Sequence, residues 1–561
     1  MSPSLTLRVV MDNRSRIDRR NRNGMALLVV VVLVMLIALG AYRFSFYMES
    51  QYRLTRWNEE QVHARLAALS GVEMAAAFVE MPPAKRAIIG GLFDNPISFR
   101  GVSIDAEVDA SALNNNPSVW RFSLVSPRNF DSQVTLNQGL AIRFGLENES
   151  AKLHIPTLLG WDRLKPGHAR ATLLSMHGVN ESMVDTWLRE LGGTAGFERS
   201  GIKGQGLQNQ HASLDELRHA WFGGDLNQNY LLDPLEARLA NQLVNQIRPK
   251  SQLPTEASNL AGELKPLRRY LTWRSGQRNE NREGQTRIYL NEPDLASLHR
   301  NLSAIWSSDW ANFVIALRQF GPNNALPTQT NAVAPPLTSG TGVSAVNGSS
   351  AIAPPIIVQD WVPDFSKSAT FTFRSPLDLV GVIVELPTSN PTSNTPQTGQ
   401  TSAKRFLLNP FSSDLGELRN YLGKILDDVT VDLSTISEGR IDASEAPVEV
   451  LAGVPGLDLQ LAQRIVQQRD RSKNPTQELD TIAWLLEVVE LAKLKELEPY
   501  LTCRSDVYSV QAVGYRDNRS AVYRTTVTID SRQSPTQLLD QRVWHPWDRG
   551  FTIEQLSDST P

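Results

Sequence analysis

Within DLNQNYLLDPLE, Asp225, Asn227, Asn229, Asp233 and Glu236 place five side-chain oxygen donors at positions one, three, five, nine and twelve. That is the spacing with which an EF-hand loop surrounds a calcium ion with oxygen. The seventh residue, Leu231, would offer its backbone carbonyl, Asp233 would act through a water, and Glu236 would bind with both carboxylate oxygens. Three carboxylates this close repel one another unless a hard cation neutralises them. The flanks agree with a helix on either side. Ser213 and Glu216 have capping-box spacing for an entering helix, and Leu235, Leu239, Leu243 and Ile247 line one face of an exiting one. The departure is the sixth position, where glycine normally makes a left-handed turn and this chain has Tyr230. A non-glycine residue there is strained. A solvated polar loop is the alternative.

No other constellation has the spacing of an enzyme site. Eight histidines occur, but none forms an HExxH pair, and His168, His177, His211 and His219 lack metal-ligand spacing. Neither a phosphate loop nor a GxSxG elbow is present. Adjacent carboxylates such as Asp427 and Asp428 read as a solvated helix end. The single cysteine, Cys503, excludes an intrachain disulfide and a thiolate zinc cluster. The chain is therefore read as a non-enzyme whose chemistry is assembly. Its 561 residues allow several domains. Hydrophobic content of 41% and charged content of 20% exclude a fully disordered chain and a multi-span transporter. The 56 basic and 59 acidic residues leave a net charge of −3, which argues against a general polyanion binder.

The elements that must carry such a loop begin with an apolar anchor. Met25 to Tyr42 reads MALLVVVVLVMLIALGAY without one charge, just long enough to span a bilayer. Arg8, Arg14, Arg16, Arg19, Arg20 and Arg22 precede it against Asp12 and Asp18. This arginine excess puts the N-terminus in the cytoplasm and the rest of the chain outside it. A secretory signal peptide would end in a small-residue cleavage site. Here the run passes instead into helical spacing of Leu54, Trp57, Val62, Leu66, Leu69, Val72, Ala76 and Val79. One helix is predicted to continue until Met81-Pro82-Pro83, where proline ends it.

Beyond the helix the pattern is α+β. SVWRFSLVS (118–126) and GLAIRFGLE (139–147) read as strands, and DVYSVQAVGY with SAVYRTTVTID reads as a C-terminal hairpin around Arg516-Asp517-Asn518-Arg519. The long stretch between these β-parts reads as mostly helical. Residues 321–360 and 387–403 are low in complexity and are predicted to be flexible loops. Between them 369–386 is predicted to be a β-hairpin with Pro376 near its turn. An internal repeat is visible. Phrases Glu149–Ile155 and Gly439–Ala443 each precede a helical unit, a related phrase Gly284–Asn291 sits midway, and LLSMHGVNESMVDTWL (173–188) matches LAGVPGLDLQLAQRIV (451–466). Aligning Gly178 with Gly456 sets Met183, Val184, Trp187 and Leu188 over Leu461, Ala462, Ile465 and Val466. Each copy is read as a helix-hairpin-helix with a glycine at its turn. Such hairpins bind DNA phosphate through the amides of two glycines, but the second glycine position holds Asn180 or Asp458. Packing is the reading preferred to nucleic-acid binding.

A basic leader, Gly24, then an apolar run flowing into an amphipathic helix resembles the class III signal of type IV pilins and pseudopilins. In that family a prepilin peptidase cuts after the glycine, leaving Met25 as the new N-terminus. Most members carry Glu at mature position five, whereas this chain has Val29. That departure, with EGRIDASEAPVEVLAGVPGL and the passage ELDTIAWLLEVVELAKLKELEPYLTCRSDVYSV (478–510), is similar to the minor pseudopilin K of type II secretion systems, the general secretion pathway protein K family. The resemblance implies a pilin-like transmembrane helix and small antiparallel sheet, interrupted by a helical insertion with helix-hairpin-helix (SAM-like) units. It implies an inner-membrane anchor with a periplasmic body, calcium at the Asp225 loop, and partners among the other minor pseudopilins and the major pseudopilin. The expected role is a cap at the pseudopilus tip, supporting export of folded proteins across the outer membrane. The expected organisation is a leader (1–24), the long helix (25–81), a first β part (82–155), a helical subdomain with the calcium loop (156–300), and low-complexity loops flanking a β-hairpin (301–403). A second helical subdomain (404–503) and a C-terminal hairpin and tail (504–561) complete it. A competence-type DNA receptor and a type IV minor pilin are the alternative readings.

Overall fold

The N-terminal helix α1 runs unbroken over Ser15–Glu80, 66 residues, a rod of about 100 Å at 1.5 Å per residue. The computed structural model describes residues 15–104, 119–128, 142–176, 179, 181–190, 225, 227–230, 236, 238, 267–323, 356–358, 361–387, 404–471, 480–516, 522–544 and 550–556. Every side chain from Met25 to Glu59 is exposed. Burial starts at Ala64 and recurs at Ala67, Ala68, Val72, Ala75 and Val79, the three-and-four spacing of one helix face. Small residues let this face lie close to the strands beneath it. A Cβ on Gly514 would collide with the Ala64 carbonyl oxygen, and one on Gly71 would meet the Phe122 ring at 2.7 Å. Past the helix end, buried Arg86 turns back to donate to the carbonyls of Val79 and Met81, closing groups that the Pro82-Pro83 stop leaves open.

The sheet under α1 is antiparallel and discontinuous in sequence. Strands β1 (Val102–Ser103), β2 (Trp120–Pro127), β3 (Ile142–Phe144) and β4 (Glu147–Asn148) precede the helical body. The predicted strand 139–147 is split because Gly145 passes against the Leu92 and Phe93 backbone, where Leu146 N donates to Leu92 O at 2.8 Å. No side chain fits at that crossing.

The chain then builds the second body, whose strands are almost all two or three residues long. Three two-stranded parallel pairs join distant segments. Strand β5 (Leu153–His154) pairs with β6 (Leu271–Thr272), β8 (Ile288–Tyr289) with β12 (Val429–Thr430), and β14 (Ile441–Asp442) with β15 (Leu501–Thr502). β7 (Gln277–Arg278) runs antiparallel to β13 (Ile436–Ser437). β11 (Arg405–Leu407) lies between β9 (Ile356–Val358), which is parallel to it, and β10 (Val384–Leu386), which is antiparallel. Helices Ile155–Leu164, His168–Leu174, Glu181–Glu190, Leu295–Ile305, Ser308–Phe320, Leu415–Asp428 and Leu459–Arg471 surround one apolar core. Met183, Val184 and Leu188 are buried in it, as are Leu461, Ala462, Ile465 and Val466, while Trp187 packs at its margin. The two aligned helix pairs therefore share one core; Gly178 and Asn180 lie outside the described residues.

Two expectations fail in this body. Residues 369–386 are not a hairpin. Ser375 and Asp378 form a capping box around a 3₁₀ turn at Pro376–Leu379, and β10 pairs with β11 instead of folding back. The would-be first strand is held by the C-terminal end of a helix, where Thr370 N and Phe371 N donate to Arg318 O at 2.8 and 3.0 Å. Residues 301–320, assigned above to the low-complexity loops, are helical, with Asp294 and Ser307 as N-caps and Leu302, Phe313 and Leu317 fully buried. Their apolar periodicity was obscured by the Pro- and Ser-rich run that follows.

The chain returns to the sheet as β16 (Val507–Arg516), β17 (Val522–Asp530) and β18 (Gln537–Trp544), completing the order β1-β2-β16-β17-β18, with β3 on β2 and β4 on β16. The predicted hairpin partners are β16 and β17, with Val510 opposite Val527. β18 is an addition to the expected tail. Its mostly exposed residues lack alternation, so its sequence has no strand signature. The coarse expectation of a long apolar helix, an antiparallel sheet and additional helices holds.

Candidate functional site

Of the candidate calcium ligands, Asp225, Asn227, Asn229 and Glu236 fall within the described residues; Leu231 and Asp233 lie outside them. Asp225 organises the first half of the loop. Its two carboxylate oxygens accept from Asn229 N and Tyr230 N at 3.1 Å each, and its carbonyl accepts from the Gln228 side chain at 2.7 Å. Asn227 Oδ1 also accepts from Asn229 N at 3.0 Å, and Glu236 Oε1 closes the ring by accepting from Asn227 N at 3.1 Å. The first, third, fifth and twelfth positions are thus gathered by the backbone they enclose. Tyr230 adopts φ +64, the left-handed conformation that the sixth position of such a loop requires. Its cost is offset by its ring, which packs against Phe551 at a centroid separation of 6.1 Å and lies 5.2 Å from the Arg268 guanidinium.

The loop is seated on the sheet. Arg524 of β17 donates to Asn227 O at 3.0 Å and Gln511 of β16 donates to Gln228 O at 3.3 Å. Arg268 reaches Asp225 Oδ2 at 3.5 Å from the other side. Burial pushes the Asp225 carboxyl up to about 6; Glu236 adds to the rise, while Arg268 and the Tyr230 and Asn229 amides oppose it. A buried carboxylate held in this state is stabilised by a cation. Among the described residues no three acidic, histidine or cysteine side chains gather at one point. Asp225 and Glu236 are buried, as is the amide of Asn229, and this oxygen-only donor set suits a hard cation.

The second candidate site is the anchor. Gly24 and Met25 sit within the unbroken α1 backbone. Met25–Glu80 contains a window of mean hydropathy 2.9 with no buried residue, long and apolar enough to cross a membrane. Val29 lies in this span and is exposed.

The sequence reading missed the polar seam between the two bodies. Asp506 takes Arg86 at 3.0 Å, Arg278 at 3.3 Å and the Arg278 amide at 2.7 Å, joining the end of α1, the helical body and the sheet. Glu149 accepts from Lys152 at 2.7 Å and from Thr272 and Ser509 at 2.5 Å each. Burial alone would push Lys152 down, but Glu147 and Glu149 together outweigh it and hold it up. Asn148 donates to Asp442 at 2.7 Å. A signal for part of this seam exists in the chain: LKPLRRYLTWRS (264–275) parallels LKELEPYLTCRS (494–505). From Tyr270 and Tyr500 onward the copies fold alike, with Leu153 N donating to Tyr270 O at 2.7 Å and Ile441 N to Tyr500 O at 2.8 Å. Their final serines, Ser275 and Ser505, both bond Ser150 Oγ, at 3.2 and 3.0 Å. The helical repeat thus ends on the seam in both copies.

The hairpin aspartate has a local task. Asp458 Oδ1 accepts from Leu461 N at 2.7 Å, capping the Leu459–Arg471 helix and occupying an amide that a phosphate would need. No family model, curated protein or solved structure matches this chain.

Proposed function

We propose that this chain is a membrane-anchored, pilin-like assembly subunit, a minor pseudopilin of the K type that caps the tip of a type II secretion pseudopilus. The observation that carries the reading is α1. Its Met25–Tyr42 stretch is uncharged and exposed, and its last turns, from Ala64 to Val79, pack on an antiparallel sheet interrupted by a large second body. Such a helix is suited to leave the inner membrane and stack beside like helices, with the body on the periplasmic side. Cleavage between Gly24 and Met25 by a prepilin peptidase would free the Met25 amine. In the pilin family, Glu at mature position five pairs with the amine of the subunit ahead. An unpaired carboxylate in the bilayer costs about 2.5–3.5 kcal/mol by insertion scales. A first subunit has no subunit ahead, and Val29 removes that charge while leaving its own amine for the next subunit. The second body would obstruct any subunit stacking above it. Other minor pseudopilins and the major pseudopilin are the partners, and the assembly supports export of folded proteins across the outer membrane.

Calcium would be held by Asp225, Asn227, Asn229, Asp233 and Glu236 with the Leu231 carbonyl, and it supplies positive charge that lets buried carboxylates stay ionised. Arg268, Arg524 and Gln511 fix the loop on the sheet independently of the ion. A DNA-receptor role is disfavoured by the Asp458 cap.

The test is position. Gold-labelled protein on purified filaments is expected at one end, with an N-terminus beginning at Met25. Labels spaced along the shaft, or an N-terminus at Met1, would overturn the cap. For calcium, a ligand at a hundredfold excess over its Kd raises stability by about 2.7 kcal/mol, so chelation should lower the melting midpoint, and Glu236→Ala should abolish that response.

A further inference from the structure

A recessed cavity of about 250 Å³ opens in the second body where β7, β12, β13 and β15 meet. Its charge is unevenly neutralised. Three of its carboxylates are already bound: Glu438 to Arg532 at 2.5 Å, Asp480 to Arg282 at 3.0 Å, and Glu498 to Arg440 at 2.5 Å, with the second Glu498 oxygen taken by Ser375. Arg504 is bound in turn to Asp427 at 2.5 Å. Asp432, at the exposed rim, spends one oxygen on the Ser434 amide.

Three donors on the wall are left over. Arg287 uses only Nε, which donates to the Asp427 carbonyl at 3.1 Å, and its two terminal nitrogens have no partner among the described residues. Arg374 pairs with no carboxylate among them. Gln277 is 2% exposed; its Oε1 accepts from Thr502 at 2.6 Å, and its Nε2 has no partner among the described residues. Arg287 is half-buried, and the two carboxylates that favour its charge, Asp427 and Glu498, are already engaged by Arg504 and Arg440. Burial, with Arg504 and Arg440 nearby, pushes Arg287 down to about 9 against the opposing pull of Asp427 and Glu498. An arginine whose Nε is occupied still presents its two end nitrogens as a fork, which matches the paired oxygens of a carboxylate or phosphate. A volume near 250 Å³ admits about eight waters at ~30 Å³ each, room for a small oxyanion or a chain terminus but not for a folded surface.

We propose that Arg287, Arg374 and Gln277 form an oxyanion-binding pocket in the second body, taking one carboxylate or phosphate group between them. Arg287 holds the anion by its fork, Gln277 adds a neutral donor, and Arg374 closes the exposed side. The site is independent of the secretion reading, since it uses neither α1 nor the Asp225 loop.

The test is calorimetric titration of the full chain in detergent micelles at fixed ionic strength. The probes are inorganic phosphate, citrate, and a tetrapeptide with either a free or an amidated C-terminus. Saturable binding of at least one oxyanion is expected, at least tenfold weaker in Arg287→Gln and three- to tenfold weaker in Arg374→Gln. Arg374 is exposed, so its variant keeps the test valid if Arg287→Gln does not fold. Saturation by phosphate or citrate but by neither peptide assigns a free anion, and saturation by the free-acid peptide alone assigns a protein terminus. No saturation by any probe, or affinities unchanged in both variants, would overturn the pocket.

Discussion

The two bodies solve the problem of core formation in opposite ways. The sheet body relies on a few long strands, such as the ten-residue Val507–Arg516, paired residue by residue with its neighbours. The second body relies on strands of two or three residues that only stitch helices together. Each has its own apolar cluster, and the contact between them is polar and charged. In the first body register carries the specificity, because a one-residue slip would turn each β16 side chain to the wrong face. In the second, packing carries it, and the short pairs contribute mainly closure. A charged seam lets two such bodies meet without merging their cores, since the buried charges there are satisfied only in one relative placement.

The largest expected effect tests whether the sheet body depends on close helix approach. Gly514→Val adds side-chain atoms where the Ala64 backbone sits, and should cost about 3–4 kcal/mol. Hydrogen exchange should show β16 and α1 losing protection while the Leu295–Phe320 helices keep theirs; uniform loss would mean that the two bodies fold as one unit. Next is the seam. Asp506→Ala strands buried Arg86 without its carboxylate, and about 3 kcal/mol should be lost, with exchange rising on both sides of the junction. A melting midpoint within a degree of the parent would show that the seam is not a coupling element.

Acidity sharpens the same comparison. Burial pushes Glu445 up to about 7 from an ordinary 4.5, with Asp442 beside it also raised by burial. A raised folded-state value means stability that is full below 4.5 and lost as pH climbs through about 7. Glu445→Gln, which cannot ionise, should therefore match the parent at pH 4 and exceed it by about 3 kcal/mol at pH 8. Denaturant midpoints across that range decide it; parallel curves would place the rise elsewhere. The smallest effect concerns the hairpin cap. Asp458→Ala should cost about 1 kcal/mol, with fraying at the start of the Leu459–Arg471 helix and no gain in affinity for DNA, measured by salt-dependent gel shift.

Much of the sheet body was legible from residue order. Alternation in WRFSLVS and in the two C-terminal runs marked β2, β16 and β17, because a half-buried strand must alternate. The proline pair marked the end of the long helix, whereas its start at Ser15 lies ten residues before the apolar run. What stayed hidden had no periodic signature: β18 is mostly exposed, β3 and β4 are split by a backbone crossing at Gly145, and the two-residue strands are shorter than any period. The loop was legible by spacing, and the objection at Tyr230 dissolved only when the ring met Phe551 and Arg268.

By itself the sequence determined the apolar exposed helix, its stop at Pro82-Pro83, the long strands, the paired helical repeats and the oxygen spacing of the 225–236 loop. These depend on local sterics, on periodic burial and on residue chemistry within one segment. Only the tertiary structure decided which remote segments close each repeat, that Asp506 and Ser150 sit where two bodies meet, and that the terminal nitrogens of Arg287 and Nε2 of Gln277 line a cavity with no hydrogen-bond partner among the described residues. Those outcomes depend on which charges find each other across hundreds of residues, and pairing at that distance is set by packing, which no local pattern records.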